Sequence, residues 1–488
     1  MHNPDINPIA RRTKIVATLG PATDRGDELA RMVAAGVDVV RLNFSHGEHA
    51  EQRRRVAAVR AVAKEQGRDV GVLMDLQGPK IRIQRFRNEE IELAEGDVFT
   101  LDTSLAPDAG DALQVGVSYK NLPHDVSDGD VLVLGDGEIA LEIQTIEGPR
   151  VHCKVLAGGS LSDHKGLNRR GGGLSAEALT EKDREDIKVA AELECDYLAV
   201  SFPRNASDIE RARRLLREAG GEGAIVAKIE RSEAVENLDA IILASDAVMI
   251  ARGDLAVEIG DALLPGVQKR VVRRARDHNT AVIVATQMME SMVTSPVPTR
   301  AEILDVANAV LDGTDAVMLS EETAVGRHPA KVVQAMARVC LGAEEEPSAE
   351  GNRRSKDEHF MRVDKTIANA AMFIARHLDL RALVALTVSG TTALYMSRLR
   401  SGIPIYALTP HQATRRRMTL YRGVYPVPFD EQDGSGGDEL HEAVATLAKL
   451  EVVAEDDLIL ITHGEFRGVT GGTNSLHLLR VGDILNSR

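Results

Sequence analysis

Short apolar runs alternate with amphipathic helical patterns along most of the chain. The runs are rich in Val, Ile and Ala, which is typical of parallel strands covered by helices on both faces. Eight runs with helical patterns between them predict an α/β fold, a (β/α)8 TIM barrel. The runs span residues 14–20, 37–43, 70–75, 197–202, 224–230, 247–251, 281–286 and 316–320, and the main helical patterns span 48–66, 181–194, 208–219, 263–278 and 300–311.

One long interval interrupts this alternation. About a hundred residues, 79–176, separate the third run from the fourth and are rich in turn sequences such as GDG and GGG. Short alternating segments at 131–134, 139–146 and 151–156 lie between the turns, which indicates a small, β-barrel-like all-β domain. Because this domain is inserted on the side of the barrel where ligands bind, we expect it to act as a mobile lid.

The last part of the chain contains a second α/β unit. A polar stretch at 344–358 predicts a linker, and strand candidates at 383–388, 405–408, 424–427, 457–461 and 476–481 predict an open, mostly parallel sheet. We therefore expect three domains. They are a catalytic barrel of residues 11–78 and 177–343, a β lid of residues 79–176 and a C-terminal α/β domain of residues 359–488.

Composition narrows the class of protein. The 488 residues carry a net charge of −15, which disfavours binding to nucleic acid because its phosphates attract basic surfaces. The three cysteines, Cys153, Cys195 and Cys340, match no zinc motif and no disulfide framework. The sequence shows neither an apolar signal core nor a run of 18 apolar residues, so we expect no membrane association and a reducing, cytoplasmic compartment.

Polar or charged side chains stand at the end of nearly every apolar run. In a barrel of this type, the carboxyl ends of the strands meet at the face that carries active sites. A set of this size is hard to explain as solvated loop starts, so we interpret it as one site. Its members are Thr18, Arg41, Asn43, Ser45, Asp75, Ser201, Lys228, Glu230, Arg252, Asp254, Thr286, Ser320 and Glu322.

Two acidic residues of this set each follow a cation by two positions. Residues i and i+2 share a face of a strand, so Lys228 can point the same way as Glu230, and Arg252 the same way as Asp254. Since the two acids end consecutive strands, their carboxylates can converge on Mg²⁺ or Mn²⁺, with further oxygens from ligand and water. Alternatively, the two acids only form ion pairs with Lys228 and Arg252, and no metal binds.

Phosphate recognition is the second chemistry that the strand ends indicate. A guanidinium at a strand end can bind two phosphate oxygens, which makes Arg41 a candidate. Lys228 beside a metal can stabilise a transferring phosphoryl group. His46 alone indicates little, because a hydrogen-bonded loop histidine is equally common. The GGG run at 171–173 by itself predicts no function, and the barrel half contains no dinucleotide-binding glycine loop.

Six motifs, in this order, resemble those of pyruvate kinases. They are RLNFSHG at 41–47, DLQGPKIR at 75–82, KIE at 228–230, ARGDL at 251–255, ATQMMESM at 285–292 and MLSEETA at 318–324. The resemblance runs from about residue 11 to the end of the chain and includes the inserted domain after Gly78. It implies a magnesium-dependent enzyme that transfers the phosphoryl group of phosphoenolpyruvate to ADP, giving pyruvate and ATP in the last step of glycolysis.

The resemblance also implies a role for each matching residue. Lys228 would stabilise the phosphoryl-transfer transition state, Glu230 and Asp254 would bind Mg²⁺ or Mn²⁺, and Thr286 would help to organise protonation of the enolate. The catalytic set would therefore be Arg41, Lys228 and Thr286. The substrate-binding set would be Arg41, Lys228, Ala251, Arg252, Gly253 and Thr286, and the nucleotide-binding set would be Asn43, His46, Arg82 and Lys182.

The sequence departs from the family pattern at the monovalent-cation pocket. Many members hold K⁺ with residues that match Asn43, Ser45, Asp75 and Leu76, and they usually have Thr in place of Leu76 and Glu in place of Lys80. The ammonium of Lys80 can supply a fixed positive charge in place of the ion. We therefore expect that this enzyme does not require K⁺. Alternatively, Lys80 is an ordinary solvated loop lysine.

The C-terminal domain resembles the effector domain of the family. A strand end followed by a helix N-terminus favours a phosphate group, and glycines between residues 464 and 472 can form the opposite wall. The candidate residues are Thr387, Ser389, Gly390, Thr391 and Thr392. Members with a sugar-bisphosphate site often have Lys in place of Val388, so a sugar monophosphate, a nucleotide, no effector and an ordinary helix cap all stay open. The resemblance implies allosteric regulation and a homotetramer.

Two other functions stay open. One is a barrel lyase or aldolase that acts on an enolpyruvate with the same metal pair. The Arg41 motif, the inserted lid and Lys228 disfavour it, because carbon–carbon cleavage does not need a nucleotide lid. The other is a non-catalytic effector-binding or scaffold protein. Such a protein is expected to have lost Lys228, Glu230, Asp254 or Thr286, and all four are present.

Overall fold

The structure is a computed structural model that describes residues 11–135, 137–346, 362–429, 439–464 and 471–486. Most of the predicted linker at 344–358 lies outside these ranges. Within them, no helix combines the length and the apolar character that crossing a membrane requires.

Eight parallel strands of the described chain close into a barrel, which confirms the predicted fold class. Numbered along the chain, they are β1 (Lys14–Thr18), β2 (Val39–Asn43), β3 (Gly71–Asp75), β12 (Tyr197–Val200), β13 (Ala224–Ile229), β14 (Ala247–Ala251), β15 (Ala281–Ala285) and β16 (Ala316–Leu319). They follow one another around the barrel in this order, and β16 pairs with β1. Seven of these strands are buried at every residue. In β2, Arg41 and Asn43 are only half-buried, and both lie towards its carboxyl end.

Helices cover the barrel and bury their apolar faces against it. Capping boxes define the start of two of them, because the Thr180 and Thr299 side chains accept hydrogen bonds from the third backbone N–H of each helix. The helices are α1 (Glu28–Ala34), α2 (His49–Glu65), α4 (Glu181–Glu192), α5 (Ala206–Glu218), α6 (Ser232–Glu236), α7 (Leu238–Ala244), α8 (Arg252–Ile259), α9 (Leu264–Asp277), α10 (Arg300–Asp312), α11 (Glu321–Ala324) and α12 (Pro329–Glu344).

The inserted domain after β3 has its own apolar core, and its regular elements are strands apart from one short helix. Its elements are β4 (Glu90–Leu93), β5 (Val98–Asp102), β6 (Gln114–Gly116), α3 (Leu122–Asp125), β7 (Val131–Leu134), β8 (Ile139–Glu147), β9 (Arg150–Ala157), β10 (Gly159–Ser162) and β11 (Leu167–Arg169). Six strands form a sheet in the order β11-β7-β8-β9-β5-β6, and β10 pairs with β4. The predicted segments at 131–134, 139–146 and 151–156 correspond to β7, β8 and β9, and the described part of the domain also contains the four-residue helix α3.

Four aspartates form a repeating pattern at the amino-terminal end of the barrel, opposite the expected site. Asp38, Asp196, Asp246 and Asp315 directly precede β2, β12, β14 and β16. Each carboxylate accepts a backbone N–H bond of 2.7–2.9 Å from the strand before it in the barrel order. The donors are Ile15, Val72, Ile225 and Val282.

The C-terminal domain packs against this aspartate end of the barrel. Its elements are α13 (Val363–Ala375), β17 (Ala382–Leu386), α14 (Thr391–Leu399), β18 (Ile405–Thr409), α15 (Gln412–Met418), β19 (Val424–Pro428), α16 (Glu439–Lys449), β20 (Leu458–His463), β21 (Ser475–Arg480) and α17 (Val481–Leu485). The sheet order is β19-β18-β17-β20-β21, and β21 alone of these strands is antiparallel to its neighbour, which confirms the open, mostly parallel sheet. Arg398 pairs with Asp315, and Arg416 Nε lies 2.8 Å from Asp196 Oδ1.

Candidate active site

Three charged side chains meet at the carboxyl end of the barrel. Arg41 lies on β2, Asp75 is the last residue of β3, and Lys228 lies on β13. Arg41 Nε is 2.7 Å from Asp75 Oδ2, and Lys228 Nζ is 3.4 Å from Asp75 Oδ1. One buried carboxylate therefore holds both candidate phosphate-binding cations.

The charges of these groups stabilise one another. Burial alone would raise the pKa of Asp75, but the nearby charges of Lys228 and Arg41 lower it below its ordinary value. Burial alone would lower the pKa of Lys228, but Asp75 and Glu230 outweigh that effect and raise it. Lys228 therefore stays protonated at the bottom of the site, where it can attract a phosphoryl group.

Ser201 fixes the ammonium of Lys228 from a third strand. It directly follows β12, accepts a 2.8 Å hydrogen bond from Lys228 Nζ and donates a 2.7 Å bond to the carbonyl oxygen of Leu76. The sequence marked Ser201 as a strand-end residue but indicated no role for it. The contact joins residues 27 positions apart, and only the closed barrel brings them together.

Glu230 and Asp254 are the candidate metal ligands. Glu230 is fully buried, and its Oε2 accepts a 2.8 Å bond from Phe202 N. Its Oε1 lies 2.8 Å from Lys228 Nζ, yet in the described chain this atom accepts no well-aligned hydrogen bond. Burial raises the pKa of Glu230, and the carboxylate of Asp254 adds to this rise. A divalent cation would relieve both effects, so these residues fit one.

The described residues contain no group of three or more His, Cys, Asp and Glu side chains that could hold a metal ion. Two protein carboxylates leave most of the coordination shell to substrate and water. This division suits Mg²⁺, which usually keeps several waters and is bound by one or two carboxylates together with substrate phosphates.

The expected strand geometry around Asp254 is wrong. β14 ends at Ala251, and Arg252 and Asp254 already lie in the first turn of α8, so they do not share a face as strand residues would. Arg252 turns away, with Nη1 2.8 Å from Asp305 and Nη2 2.6 Å from the carbonyl oxygen of Thr286. Of the two ion pairs that the metal-free alternative required, Glu230 with Lys228 is present, whereas Arg252 pairs with Asp305 and not with Asp254.

Thr286 holds the start of α8 against the end of β15. Its Oγ1 accepts a 3.0 Å bond from Gly253 N and donates a 2.7 Å bond to the carbonyl oxygen of Ala285. Thr286 and Gln287 have φ values of 69° and 54°, a left-handed conformation that β-branched residues rarely adopt. Strain of this kind concentrates at functional sites, and here it places the Thr286 hydroxyl beside the backbone of residues 251–253.

The expected nucleotide-binding residues lie at and just after the end of β2, in the inserted domain and in the first turn of α4. Burial, followed by the charges of Arg82, Lys80 and Arg41, lowers the pKa of His46, which places these cations near the imidazole. Arg82 Nη1 donates a 2.7 Å bond to the carbonyl oxygen of His164 in the inserted domain. Lys182 instead reaches the carbonyl oxygen of Phe44 at 2.7 Å and Asp186 Oδ2 at 2.6 Å.

The residues of the expected monovalent-cation pocket are placed as follows. The Asn43 side chain accepts a 3.0 Å bond from Ser45 N, so these two residues form a tight turn after β2. Leu76 is buried, and its carbonyl oxygen accepts the Ser201 hydroxyl. Lys80 is exposed, and no ion pair of its ammonium with another described residue is found. Its positive charge is therefore exposed in the loop after β3, at the opening of the site between the barrel and the inserted domain.

Sequence reasoning missed one cluster at this site, formed by Arg231, Glu233 and Glu258. Arg231 and Glu258 are each only 4% exposed, although both side chains are ionisable. Arg231 directly follows Glu230, and Glu258 lies one helical turn after Asp254 on α8. In the sequence, Arg231 and Glu233 come directly after the KIE motif. A charged run of this kind is usually the solvated start of a helix, so it indicated no function.

The candidate effector residues form a compact turn in the C-terminal domain. Gly390 N donates a 2.9 Å bond to Thr387 Oγ1, and the hydroxyls of Ser389 and Thr391 lie 2.8 Å apart. Thr392 Oγ1 lies 2.7 Å from Thr473 Oγ1, which joins the start of α14 to the chain before β21. Residues 465–470 of the expected opposite wall lie outside the described residues.

The fold and the site define a (β/α)8-barrel protein with cationic and acidic side chains at the carboxyl ends of its strands. Comparison with known families agrees with this class. A family model described as the pyruvate kinase barrel domain matches residues 10–333, and one described as the pyruvate kinase alpha/beta domain matches residues 365–479.

Individual relatives extend over nearly the full chain. The chain is 53% identical to pyruvate kinase II of Salmonella typhimurium over 475 residues, which cover 96% of this chain and 99% of the relative. It is 50% identical to pyruvate kinase of Haemophilus influenzae over 458 residues, 93% and 96% of the two chains, and 40% identical to that of Mycobacterium tuberculosis over 476 residues, 97% and 99% of the two chains. The chain belongs to the pyruvate kinase family.

Proposed function

We propose that this chain transfers the phosphoryl group of phosphoenolpyruvate to ADP, forming pyruvate and ATP. The observation that carries the proposal is the meeting of Arg41 and Lys228 on Asp75, beside the carboxylates of Glu230 and Asp254. Two cations suit a phosphate group, and two acids suit the divalent ion that phosphoryl transfer requires. The names of the relatives describe the same activity.

Arg41 and Lys228 act on the phosphoryl group. The bond between phosphorus and the enol oxygen breaks while a bond forms to a terminal phosphate oxygen of ADP, with the two oxygens in line. Lys228 keeps its charge because its pKa is raised, so it offsets negative charge that spreads over the transferring oxygens. Asp75 orients both cations and keeps them apart.

Glu230 and Asp254 would hold Mg²⁺ or Mn²⁺, and the bound ion would supply Lewis-acid charge to substrate oxygens. The backbone around the junction of β14 and α8, residues 251–253, suits the substrate carboxylate, with Gly253 N–H held by the Thr286 hydroxyl until substrate binds. After transfer, the enolate must gain a proton at its methylene carbon. The Thr286 hydroxyl, held by Gly253 N and the carbonyl oxygen of Ala285, is placed to orient the proton donor.

The inserted domain acts as the lid. Its residues Arg82 and His164, together with His46 of the barrel, border the side where ADP would enter. Closure over the nucleotide would exclude water, which would otherwise accept the phosphoryl group. Asn43, His46, Arg82 and Lys182 are the residues that we assign to nucleotide binding.

The test is pyruvate formation from phosphoenolpyruvate and ADP with Mg²⁺. We expect turnover that requires all three components and that Mn²⁺ can support. A lyase or aldolase would instead consume an enolpyruvate compound without ADP, and a scaffold protein would bind ligand without turnover. Either of these results would overturn the proposal.

We propose further that the enzyme works without K⁺. Lys80 stands free at the mouth with its charge close enough to act on His46, while Leu76 lacks the hydroxyl of a cation ligand. A fixed ammonium can take over the electrostatic role of a bound monovalent ion. Equal rates in Tris buffer with and without KCl support this idea, and a collapse of activity without K⁺ and Na⁺ contradicts it.

We also propose that the C-terminal domain regulates the enzyme allosterically and that the chain assembles as a homotetramer in the cytoplasm. The Thr387–Thr392 turn offers hydroxyls and a helix start to a phosphorylated effector. The three cysteines are buried and free, which fits a reducing compartment. The test is a screen of sugar monophosphates and nucleotides for a change in substrate cooperativity, with the mass measured by light scattering. No response to any compound, or a monomer, would contradict this part.

A further inference from the structure

The chain returns from the lid to the barrel through three consecutive glycines. Gly171, Gly172 and Gly173 follow β11 and have φ values of 85°, 80° and 96°. Three left-handed residues in a row bend the chain sharply, and residues other than glycine rarely adopt this conformation. The bend sets the direction in which the lid leaves the barrel.

Three hydrogen bonds join the barrel to residues 171–174, here called the return segment. Gly171 N donates a 2.8 Å bond to the carbonyl oxygen of Glu258, and Gly173 N donates a 2.7 Å bond to Glu233 Oε1. Arg231 Nη2 donates a 2.6 Å bond to the carbonyl oxygen of Leu174. All three barrel partners belong to the cluster of Arg231, Glu233 and Glu258.

An added Cβ would have open space at Gly171 but would meet the end of a charged side chain at Gly172 and at Gly173. A Cβ atom at Gly172 would lie 2.8 Å from Glu233 Oε2, and one at Gly173 would collide with the guanidinium of Arg169. The left-handed conformation favours glycine at both positions, and a Cβ would in addition force Glu233 or Arg169 to move. The glycine run therefore has a defined conformation that its contacts with the barrel hold in place.

The cluster is held together by charge. Arg231 Nε lies 3.6 Å from Glu233 Oε2 and 3.8 Å from Glu258 Oε1, and Ser232 N donates a 2.9 Å bond to Glu258 Oε2. Burying such charges costs desolvation free energy, so buried ion pairs often add little to the stability of a fold. Their retention here calls for a role that depends on position.

The cluster also joins the two segments that carry the candidate metal ligands. Arg231 directly follows Glu230, and Glu258 lies on α8 one turn beyond Asp254. A shift of the return segment would therefore pull on both carboxylates at once. Residues that orient metal ligands commonly change metal affinity by about 10–100-fold. This cluster would act through the backbone, since none of its described hydrogen bonds reaches the carboxylate of Glu230 or Asp254.

We propose that Arg231, Glu233 and Glu258 form a latch that couples the orientation of the lid to the placement of the metal ligands. The three are positioning residues and do not touch the reacting atoms. The latch rests on the proposed function, because it assumes that Glu230 and Asp254 bind the divalent cation. When the return segment is bound to the latch, the carboxylates of Glu230 and Asp254 converge on the divalent cation. When the return segment moves, these two carboxylates separate.

The test uses the full chain and two variants that break one contact from opposite sides. Glu233→Ala removes the acceptor for Gly173 N, and Gly172→Ala pushes a methyl group against Glu233. We expect each to weaken Mn²⁺ binding about tenfold, to raise KM for ADP more than it lowers kcat, and to speed amide exchange across residues 79–176. The double variant should be no worse than the poorer single one, because both act on one contact.

Two controls separate a latch from a general loss of stability. Glu233→Gln keeps an oxygen that can accept the Gly173 bond, so it should restore most of the Mn²⁺ affinity. Glu236→Ala changes an exposed glutamate on the same helix and should behave as the unchanged chain. Unchanged Mn²⁺ affinity and lid exchange in both latch variants, or a lower melting temperature alone, would overturn the proposal.

The readouts also keep the latch distinct from the enzymatic proposal. If the unchanged chain forms no pyruvate, the proposed function fails, while Mn²⁺ affinity and lid exchange still test the coupling. If the unchanged chain binds no Mn²⁺, the latch fails with its assumption. Should Glu233→Ala not fold, Gly172→Ala tests the same contact from the lid side.

Discussion

The guanidinium of Arg41 and the carboxylate of Asp75 form one ion pair, with Nε and Oδ2 2.7 Å apart. One residue of the pair was expected to bind substrate phosphate and the other to line a monovalent-cation pocket. The other oxygen of Asp75 lies 3.4 Å from Lys228 Nζ. The expected phosphate-binding residues and the expected cation pocket therefore share a single buried acid, and we expect a change in one to affect the other.

Asp75→Asn should disable the enzyme by releasing both cations. Because Arg41 and Lys228 both lose their buried partner, we expect kcat/KM for phosphoenolpyruvate to fall by at least about 100-fold, equal to about 3 kcal/mol of transition-state stabilisation. Steady-state kinetics measures this loss. The matched control is Asp24→Asn, which breaks the pair of Arg55 with a half-exposed aspartate and should change little. Comparable activity of the two variants would contradict the role of Asp75.

Glu230→Gln and Asp254→Asn should each weaken divalent-ion binding. Each removes one of two charged oxygen ligands, so we expect the Mn²⁺ dissociation constant to rise on the order of 100-fold, equal to about 3 kcal/mol. Electron paramagnetic resonance of free Mn²⁺ measures binding without turnover. Asp261→Asn, an exposed acid just beyond α8, is the control. Unaltered Mn²⁺ binding in either ligand variant would place the metal elsewhere.

Lys80→Glu should make the enzyme dependent on K⁺. Reversing the charge at the mouth removes the fixed cation and supplies an acid, so activity in K⁺-free buffer should fall about tenfold and recover when KCl is added. The rates are compared in Tris buffer with and without KCl. Lys154→Glu, on an exposed position of β9 in the lid, controls for net charge. If KCl has no effect on Lys80→Glu, Lys80 is only a solvated lysine.

Glu258 should make stability depend on pH. Burial raises its pKa from 4.5 to about 7, against the opposing effects of the Ser232 hydrogen bond and the charge of Arg231. Between pH 4.5 and about 7, the folded chain then binds more protons than the unfolded chain. The contribution of Glu258 to the free energy of unfolding therefore falls as pH rises through that window.

The matching experiment compares thermal unfolding of the unchanged chain and Glu258→Gln in metal-free buffer from pH 4.5 to 8. Because the variant has no titrating group at this position, its stability relative to the unchanged chain should rise by up to about 3 kcal/mol over the window. Gln can still accept the Ser232 bond, so packing is largely kept. A pH-independent difference between the two proteins would show that the Glu258 pKa is ordinary.

The sequence predicted the barrel well because its signals are local. Each strand is a short apolar run whose two faces are both buried, and the polar residue that ends it stands next to it in the chain. Thr286 and Lys228 could be recognised in this way from a few neighbouring positions. The family motifs are equally local, since each spans eight residues or fewer.

Short-range patterns failed where the chain changes conformation abruptly. The spacing of Arg252 and Asp254 suggested a shared strand face, but β14 ends at Ala251 and α8 begins at once. Gly253 N at the start of α8 donates a hydrogen bond to Thr286 Oγ1, and this partner is 33 residues away, beyond the reach of a local pattern.

By itself, then, the sequence determined the order of strands and helices, the family and the residue types at the mouth of the barrel. Only the tertiary structure decided that Asp75 is shared by Arg41 and Lys228, and that the glycine run at 171–173 is seated on Glu233 and Glu258. The physical reason is that these contacts depend on barrel closure and on the docking of the lid. Gly173 and Glu233 are 60 residues apart, and no periodicity within either segment encodes their meeting.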